Sequence, residues 1–327
     1  MHTLIKPQAG NRYAVITGFY GRQVNRFMEY QPARKIEEKL AMAGRTEGCD
    51  GVELCYPDDF ADPALVKRLV AEHGLGVSAL NFRSRRPGQW MRGSWTSESA
   101  EERQQVVDDC RRAIDLAAEL GVHRVTNCPL NDGADCVFEI DYPRAYDHAA
   151  EAIAQVAAHN RDIRFCIEYK PNEPRARSLF DTAGGTLSFV QMVGAANLGV
   201  TLDIGHALAA GERPAQSAAL LARAGRLFYV QLNDNDGAFD WDLPPGVLRF
   251  WETIELLYAL PRVGYAGDWV SFDIVPKEFD PVQVYSMAFT NTRKLESIAG
   301  RIDPERMAEL VRARNPGVTM SYLFSLL

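Results

Sequence analysis

Residues 164–175 read Arg164-Phe165-Cys166-Ile167-Glu168-Tyr169-Lys170-Pro171-Asn172-Glu173-Pro174-Arg175. An apolar run of strand length ends in a carboxylate. An ammonium group follows two residues later, and prolines close the segment. Residues two apart in an extended chain share a face, so Glu168 and Lys170 enter the same space. Taken alone, such a pair is as often a salt-bridged strand end as a site; the surrounding chain decides.

Similar short β-rich runs recur on both sides, at 13–17, 51–54, 77–82, 124–127, 199–203, 227–232 and 269–272. Between them lie amphipathic stretches. In the clearest, Val107, Cys110, Ile114 and Ala117 recur at helical spacing while Arg111, Arg112 and Asp115 face away. Further helices are expected to begin near Pro32, Pro63, Tyr142, Gly185, Pro214, Gly246 and Pro281, several of them carrying proline as a start signal. Strands that each feed a helix predict an α/β fold, a (β/α)8 TIM barrel. Short apolar strands suit a sheet covered on both faces. No Gly/Ser linker divides the chain. A single barrel domain is expected over residues 1–300, with a C-terminal helical tail over 301–327, helical at 303–314. That tail either closes its own barrel or packs on a neighbouring subunit.

Composition narrows the function. The chain has 327 residues, 46% of them hydrophobic, enough for a large core. A net charge of −7 argues against a nucleic-acid-binding face. No apolar run approaches the roughly 18 residues that span a membrane, and the opening Met1–Pro7 segment lacks a signal-peptide core. The six cysteines show no CxxC spacing; Cys110 and Cys166 read as small buried hydrophobes. Reduced thiols and a cytoplasmic location are expected.

Barrel enzymes work at the C-terminal ends of their strands. There this chain places Glu168 and Lys170, then Asp203 with His206, then Gln231 and Asn233 followed by Asp234, Asp236, Asp240 and Asp242, and finally Asp273. Converging carboxylates repel one another and need a cation or protons to coexist. An acidic, histidine-poor set favours Mg²⁺ or Mn²⁺ over zinc. Asp203-x-x-His206 and Asp240-Trp241-Asp242 offer enough ligands for one or two ions, sharing Asp203.

These residues resemble the xylose isomerase family of metal-dependent aldose–ketose isomerases, within the wider group of xylose isomerase-like barrels. The resemblance runs from about Arg12 to Glu296. Its most specific element is Glu168-Tyr169-Lys170-Pro171-Asn172-Glu173-Pro174-Arg175, which differs at one position from the family's Glu-Pro-Lys-Pro-Asn-Glu-Pro-Arg. Asp203-Ile204-Gly205-His206, Gln231-Leu232-Asn233, Phe239-Asp240-Trp241-Asp242-Leu243 and Phe272-Asp273 also match. The resemblance implies that Glu168, Asp203 and Asp273, with Gln231, hold one divalent ion (Mn²⁺ or Mg²⁺, with Co²⁺ as a further option). A second would be held by Asp203, His206, Asp240 and Asp242. Lys170 would bond the carbonyl oxygen during a hydride shift between adjacent carbons of an opened sugar. Phe82, Trp90, Trp95 and Trp241 are candidate walls, and Asn233 a substrate contact. The resemblance further implies a small sugar as substrate and a homodimer or homotetramer.

Three departures shape the expectation. Gln231 stands where the family has an acid. Asp203 replaces a longer glutamate. In the segment Cys55-Tyr56-Pro57-Asp58-Asp59, Tyr56 takes the place of a ring-opening histidine, although a phenol is a poor base at neutral pH. Together they point away from xylose and towards a rarer pentose, a deoxy- or a branched sugar. The alternative is an epimerase or lyase with one ion and Glu168 and Asp273 as acid and base. A phosphoesterase would need more histidines and a basic groove; a silent sugar-binding barrel would not need Lys170. The basic loop Arg83-Ser84-Arg85-Arg86 reads as a solvated loop, a subunit contact, or a contact to a substrate phosphate or carboxylate.

Overall fold

The computed structural model describes residues 10–327; the Met1–Pro7 segment read for a signal sequence lies outside the described residues. Eight parallel strands close a barrel: β1 Arg12–Ile16, β2 Gly51–Tyr56, β3 Gly76–Phe82, β4 Arg124–Asn127, β5 Arg164–Glu168, β6 Leu198–Asp203, β7 Leu227–Leu232 and β8 Trp269–Phe272. The closure is carried by β1, whose Val15 pairs with Phe272 on one side and Val52 on the other. The protein is a (β/α)8 TIM barrel. All eight expected strands are present, because each is a short apolar run bounded by turn residues.

The outer ring comprises α1 Ile36–Arg45, α2 Pro63–Glu72, α3 Ala100–Glu119, α4 Tyr142–His159, α5 Ala183–Val193, α6 Ile204–Ala209, α7 Pro214–Arg223, α8 Phe250–Arg262 and α9 Pro281–Gly300. Most start signals operate as read. Asp62, Ser99, Asp141, Thr182 and Asp280 each accept a backbone N–H at a helix start. In α3 the stripe Val107, Cys110, Ile114, Ala117 is buried against the barrel. Two starts differ from expectation. α1 begins at Ile36 rather than near Pro32, because Gln31 and Arg34 are drawn away to the Lys277 and Tyr20 carbonyls. α8 begins at Phe250 rather than near Gly246. Gly246 has φ +80°, and the Asp234 carboxylate takes the N–H groups of Leu248 and Arg249, holding them outside the helix.

Beyond α9 come α10 Pro304–Ala313 and α11 Pro316–Phe324. Arg314 in the left-handed region and the Asn315 cap separate them, a break not expected from the sequence. Trp251 on α8 meets Phe324 edge to face at 5.2 Å, and the Tyr322 hydroxyl accepts the Asp303 N–H at 2.8 Å. The tail therefore packs on its own barrel. Among the described residues no helix is long and apolar enough to cross a membrane, and all six cysteines are free thiols.

The barrel interior is layered. At the bottom Ala14, Ala79, Cys166, Tyr229 and Trp269 pack together. The Trp269 indole fits because Gly51 and Gly76 lack side chains: a Cβ on either would lie 2.6 Å from its ring. Above lies a polar layer. The Thr126 and Thr201 hydroxyls meet at 2.7 Å, and the buried Glu53 carboxylate accepts from Asn81 at 2.7 Å and from the Tyr229 hydroxyl at 3.0 Å. The acidic mouth sits on this layer.

Candidate metal centre

Strand register gathers the carboxylates. Thr201 pairs with Glu168, and Asp203 pairs with Gln231, which pairs in turn with Ser271. Inward-facing residues alternate along each strand, so Glu168, Asp203, Gln231 and Asp273 emerge side by side. Glu168, Asp203 and Asp273 each offer an oxygen, all within 4.8 Å of one another, a spacing that suits a shared metal ion. Asp203 also caps α6, accepting the His206 N–H at 2.9 Å. Asn233 steadies it with donated bonds of 3.1 and 3.2 Å and reaches Asp242 at 3.4 Å.

Next to this triad lies a second group. His206 Nε2 is 3.1 Å from Asp240, and its Nδ1 is 3.3 Å from Glu168. The Lys170 ammonium bridges Glu173 at 2.7 Å and Asp240 at 2.9 Å. Asp242 holds φ +48°, a left-handed conformation that bends its loop back over the mouth.

The electrostatics are those of a cation-deficient pocket. Burial, eased by His206 and aggravated by Asp203, pushes Glu168 up to about 7. Burial and neighbouring carboxylates hold Asp242 and Asp273 well above the usual range. Burial works against the His206 charge, but Asp203 and Asp240 outweigh it and raise the imidazole to about 10. Asp240 goes the other way: burial opposes its charge, yet His206 and Lys170 hold it below the ordinary value. Lys170 and His206 are thus the cations in direct contact with these carboxylates, and the raised acids keep protons until further positive charge arrives.

Three buried side-chain oxygens here have no hydrogen-bond donor: Gln231 Oε1, Asn233 Oδ1 and Asp273 Oδ1. Hard oxygens with one imidazole suit Mg²⁺ or Mn²⁺, and the residues fit such an ion.

A model of the xylose isomerase-like TIM barrel family matches residues 43–271. The chain belongs to this family. A xylose isomerase from Streptomyces lividans is 32% identical over 242 residues, which is 70% of this chain and 61% of that one. The chain therefore spans under two thirds of that relative's length. Among solved structures, a xylose isomerase domain protein from Alicyclobacillus acidocaldarius has a TM-score of 0.67 at 20% identity, covering 89% of this chain and 100% of that one. An L-ribulose 3-epimerase has a TM-score of 0.65 at 21% identity, covering 94% and 99%. Sequence-family membership and barrel geometry agree.

Not every expected site residue joins this xylose isomerase-like mouth. Glu53 turns inwards on β2, so Cys55 follows it and Tyr56 faces the helices. The Tyr56 hydroxyl points to Asp109 on α3 at 3.4 Å; the inward position at this strand end belongs to Cys55. Phe82 and Trp95 are likewise turned out of the mouth. Both are fully buried, with Phe82 packed between Tyr56 and Trp95 at ring distances of 6.1 and 6.0 Å. Trp241 is exposed on the rim beside Phe239 and Lys277. Asn233 donates to the Asp203 and Asp242 carboxylates, which makes it an organiser of the acidic cluster rather than an open substrate contact. Trp90 is buried and keeps its indole N–H without a partner.

Two residues escaped the sequence reading. Glu53 accepts the Gln231 amide at 3.2 Å through both of its oxygens. A lone acid at an inward position of an apolar barrel strand was the available signal. Cys128, at the end of β4, lies within 4.8 Å of Glu168 and His206, counted atom to atom; burial holds its thiol well above the ordinary range.

Proposed function

We propose that the protein is a metal-dependent sugar isomerase that interconverts an aldose and a ketose by a hydride shift between adjacent carbons. The observation that carries this reading is the Lys170 ammonium, held at 2.9 Å by Asp240 in the mouth that contains the Glu168, Asp203 and Asp273 triad. A carboxylate cluster alone serves many reactions. A fixed ammonium beside it suits one in which a carbonyl oxygen gains negative charge.

Glu168, Asp203, Asp273 and the Gln231 carbonyl would hold one ion, and Asp203, His206, Asp240 and Asp242 a second. When bound, a divalent ion supplies Lewis-acid polarisation and a template for two sugar oxygens. The chain's own residues do the rest. Lys170 donates to the carbonyl oxygen and stabilises the charge that builds there. Asp240 and Glu173 fix the ammonium, so little reorganisation accompanies the reaction. Asn233 keeps Asp203 in place, and Glu53 keeps Gln231 in place.

The second reading is an epimerase. Glu168 and Asp273 offer oxygens within 4.8 Å of each other, and both carboxyls are raised, as an acid–base pair requires. A panel of rare aldoses and ketoses, run with Mn²⁺, Mg²⁺ and Co²⁺ in deuterated water, separates the two. Isomerised product carrying almost no solvent deuterium supports the hydride shift. Full deuterium at the reacting carbon supports the epimerase and ends the first reading.

A further inference from the structure

The loop after β3 carries three arginines with different fates. β3 ends at Phe82, and Asn81 and Arg83 on either side of that end point into the barrel. Asn81 reaches Glu53 at 2.7 Å, and Arg83 reaches the Cys55 sulfur at 3.1 Å. Ser84, between the arginines, faces out and accepts from Asn127 at 3.1 Å. Arg85 is placed at the mouth by its charged neighbours, Arg83, Cys128 and Glu168. Arg86 turns out, pairing with Asp109 on α3 and lying over the Trp90 ring.

Arg86 is neutralised, and the two inward arginines are not. Among the described residues neither Arg83 nor Arg85 makes an ion pair. Arg83 Nε is buried without an acceptor, and among the described residues Arg85 donates no hydrogen bond. Lys170 and His206 contact the carboxylates of the acidic cluster directly, whereas Arg83 and Arg85 feel Asp273 and Glu168 only through space. Burial, followed by the like charge of Arg83, draws Arg85 down to about 10, so it stays charged at neutral pH. A half-buried guanidinium with a like-charged neighbour and no acceptor is costly.

The surrounding loop is firmly built. Buried Asp132, on the β4–α4 loop, accepts from Ser94 N–H at 2.9 Å and hydroxyl at 2.6 Å, and from Thr96 N–H and hydroxyl at 2.8 Å each. Arg83 and Arg85 thus stand on a fixed wall at β3. The carboxylate cluster occupies β5 to β8, and β4 alone separates β3 from its near edge.

We propose that Arg83 and Arg85 bind a terminal oxyanion of the substrate, so that the sugar processed at this mouth is an acidic one. A sugar gripped by its first two oxygens at the β5–β8 side reaches β3 with its far end. A carboxylate or a phosphoryl ester there supplies the acceptors that the guanidinium forks lack. The inference rests on the sugar-binding reading of this mouth and deepens it by naming the substrate class.

The test is calorimetric titration of the Mn²⁺-treated protein with D-fructose, D-fructuronate and D-fructose 6-phosphate. These share a carbon skeleton and differ in the charge at carbon 6. At least one charged sugar should bind about tenfold tighter than D-fructose, in line with charge-assisted bonds. Whichever binds tighter identifies carboxylate or phosphoryl recognition. Arg85→Gln should abolish the preference and leave D-fructose affinity unchanged. Arg85→Lys, the gentler variant should the first fold poorly, should lose most of it. Equal binding of all three sugars, or a preference that survives both variants, overturns the proposal. The readout is independent of turnover: tight binding of a charged sugar that is never isomerised would end the isomerase reading alone.

Discussion

The side-chain nitrogen of Gln231 lies 3.2 Å from each carboxylate oxygen of Glu53, and the Gln231 carbonyl oxygen is buried without a donor. The acid beneath the mouth thus sets which end of the amide faces the carboxylate triad. Glu53 receives further bonds from Asn81 and Tyr229, so the amide rests on a fixed base. Supporting contacts of this kind typically change metal affinity by about 10–100-fold. Glu53→Gln, which can present a donor to Gln231, should weaken Mn²⁺ binding by about tenfold in a calorimetric titration. Unchanged affinity would mean that Gln231 is not a ligand.

Lys170→Ala should lower turnover by about 10²-fold or more, the usual consequence of losing a donor to developing charge. Manganese should remain bound, because the triad is intact. Near-normal rates would remove the hydride-shift mechanism.

Acidity should act on the metal-free protein in a definite direction. Glu168 in the folded chain titrates at about 7, above its ordinary 4.5. Between those values the folded state holds a proton that the unfolded chain has released, so stability falls as pH rises through the window. His206, raised to about 10 from 6.5, adds a loss of the same sign at higher pH. Urea midpoints in EDTA should therefore be higher at pH 5 than at pH 7.5. Saturating Mn²⁺ should reverse the order, because the ion displaces those protons. A metal-free midpoint that rises with pH would contradict the assignment.

Gly76→Ala should destabilise the barrel by about 1–3 kcal/mol through overpacking, since the new methyl would meet the Trp269 ring at 2.6 Å. Trp269→Phe in the same chain should restore part of the loss. Thermal melts of both single variants and the double variant measure that coupling.

Tyr56→Phe should keep kcat within about twofold. Its hydroxyl meets Asp109 at a long 3.4 Å on the helix side of β2, a bond worth about 1 kcal/mol at most. A large fall in kcat would return Tyr56 to the reaction.

Much of this was legible because barrel strands are short, apolar and flanked by turn residues, and because acidic residues at their ends are conspicuous. Glu168, Asp203 and Asp273 follow from that pattern alone. The face presented by each residue was harder to read. Pairing between β2 and β3 shifts register after Val52, where Glu53 lies opposite Ala79. A one-residue difference exchanges inside for outside: the resemblance puts Tyr56 in the mouth, whereas the strand turns Glu53 inwards and Tyr56 towards Asp109 on α3. The arginines of the β3 loop pose a different problem. Asp109 neutralises Arg86 from 23 residues further along the chain, and no local pattern reveals that choice. The start of α8 was hidden similarly, since Asp234 acts from 14 residues upstream.

The guanidinium of Arg175, at the end of the opening motif, ties together more of the rim than its own loop. It donates to the Met91 carbonyl, to the Asn131 carbonyl at 3.2 Å and to Asp135 at 2.7 Å, while Asp132 staples the same two neighbouring loops from beneath. Those segments are therefore not separate modules open to exchange one at a time. An engineer grafting a relative's specificity onto this scaffold would have to transplant the β3, β4 and β5 crossings as one block.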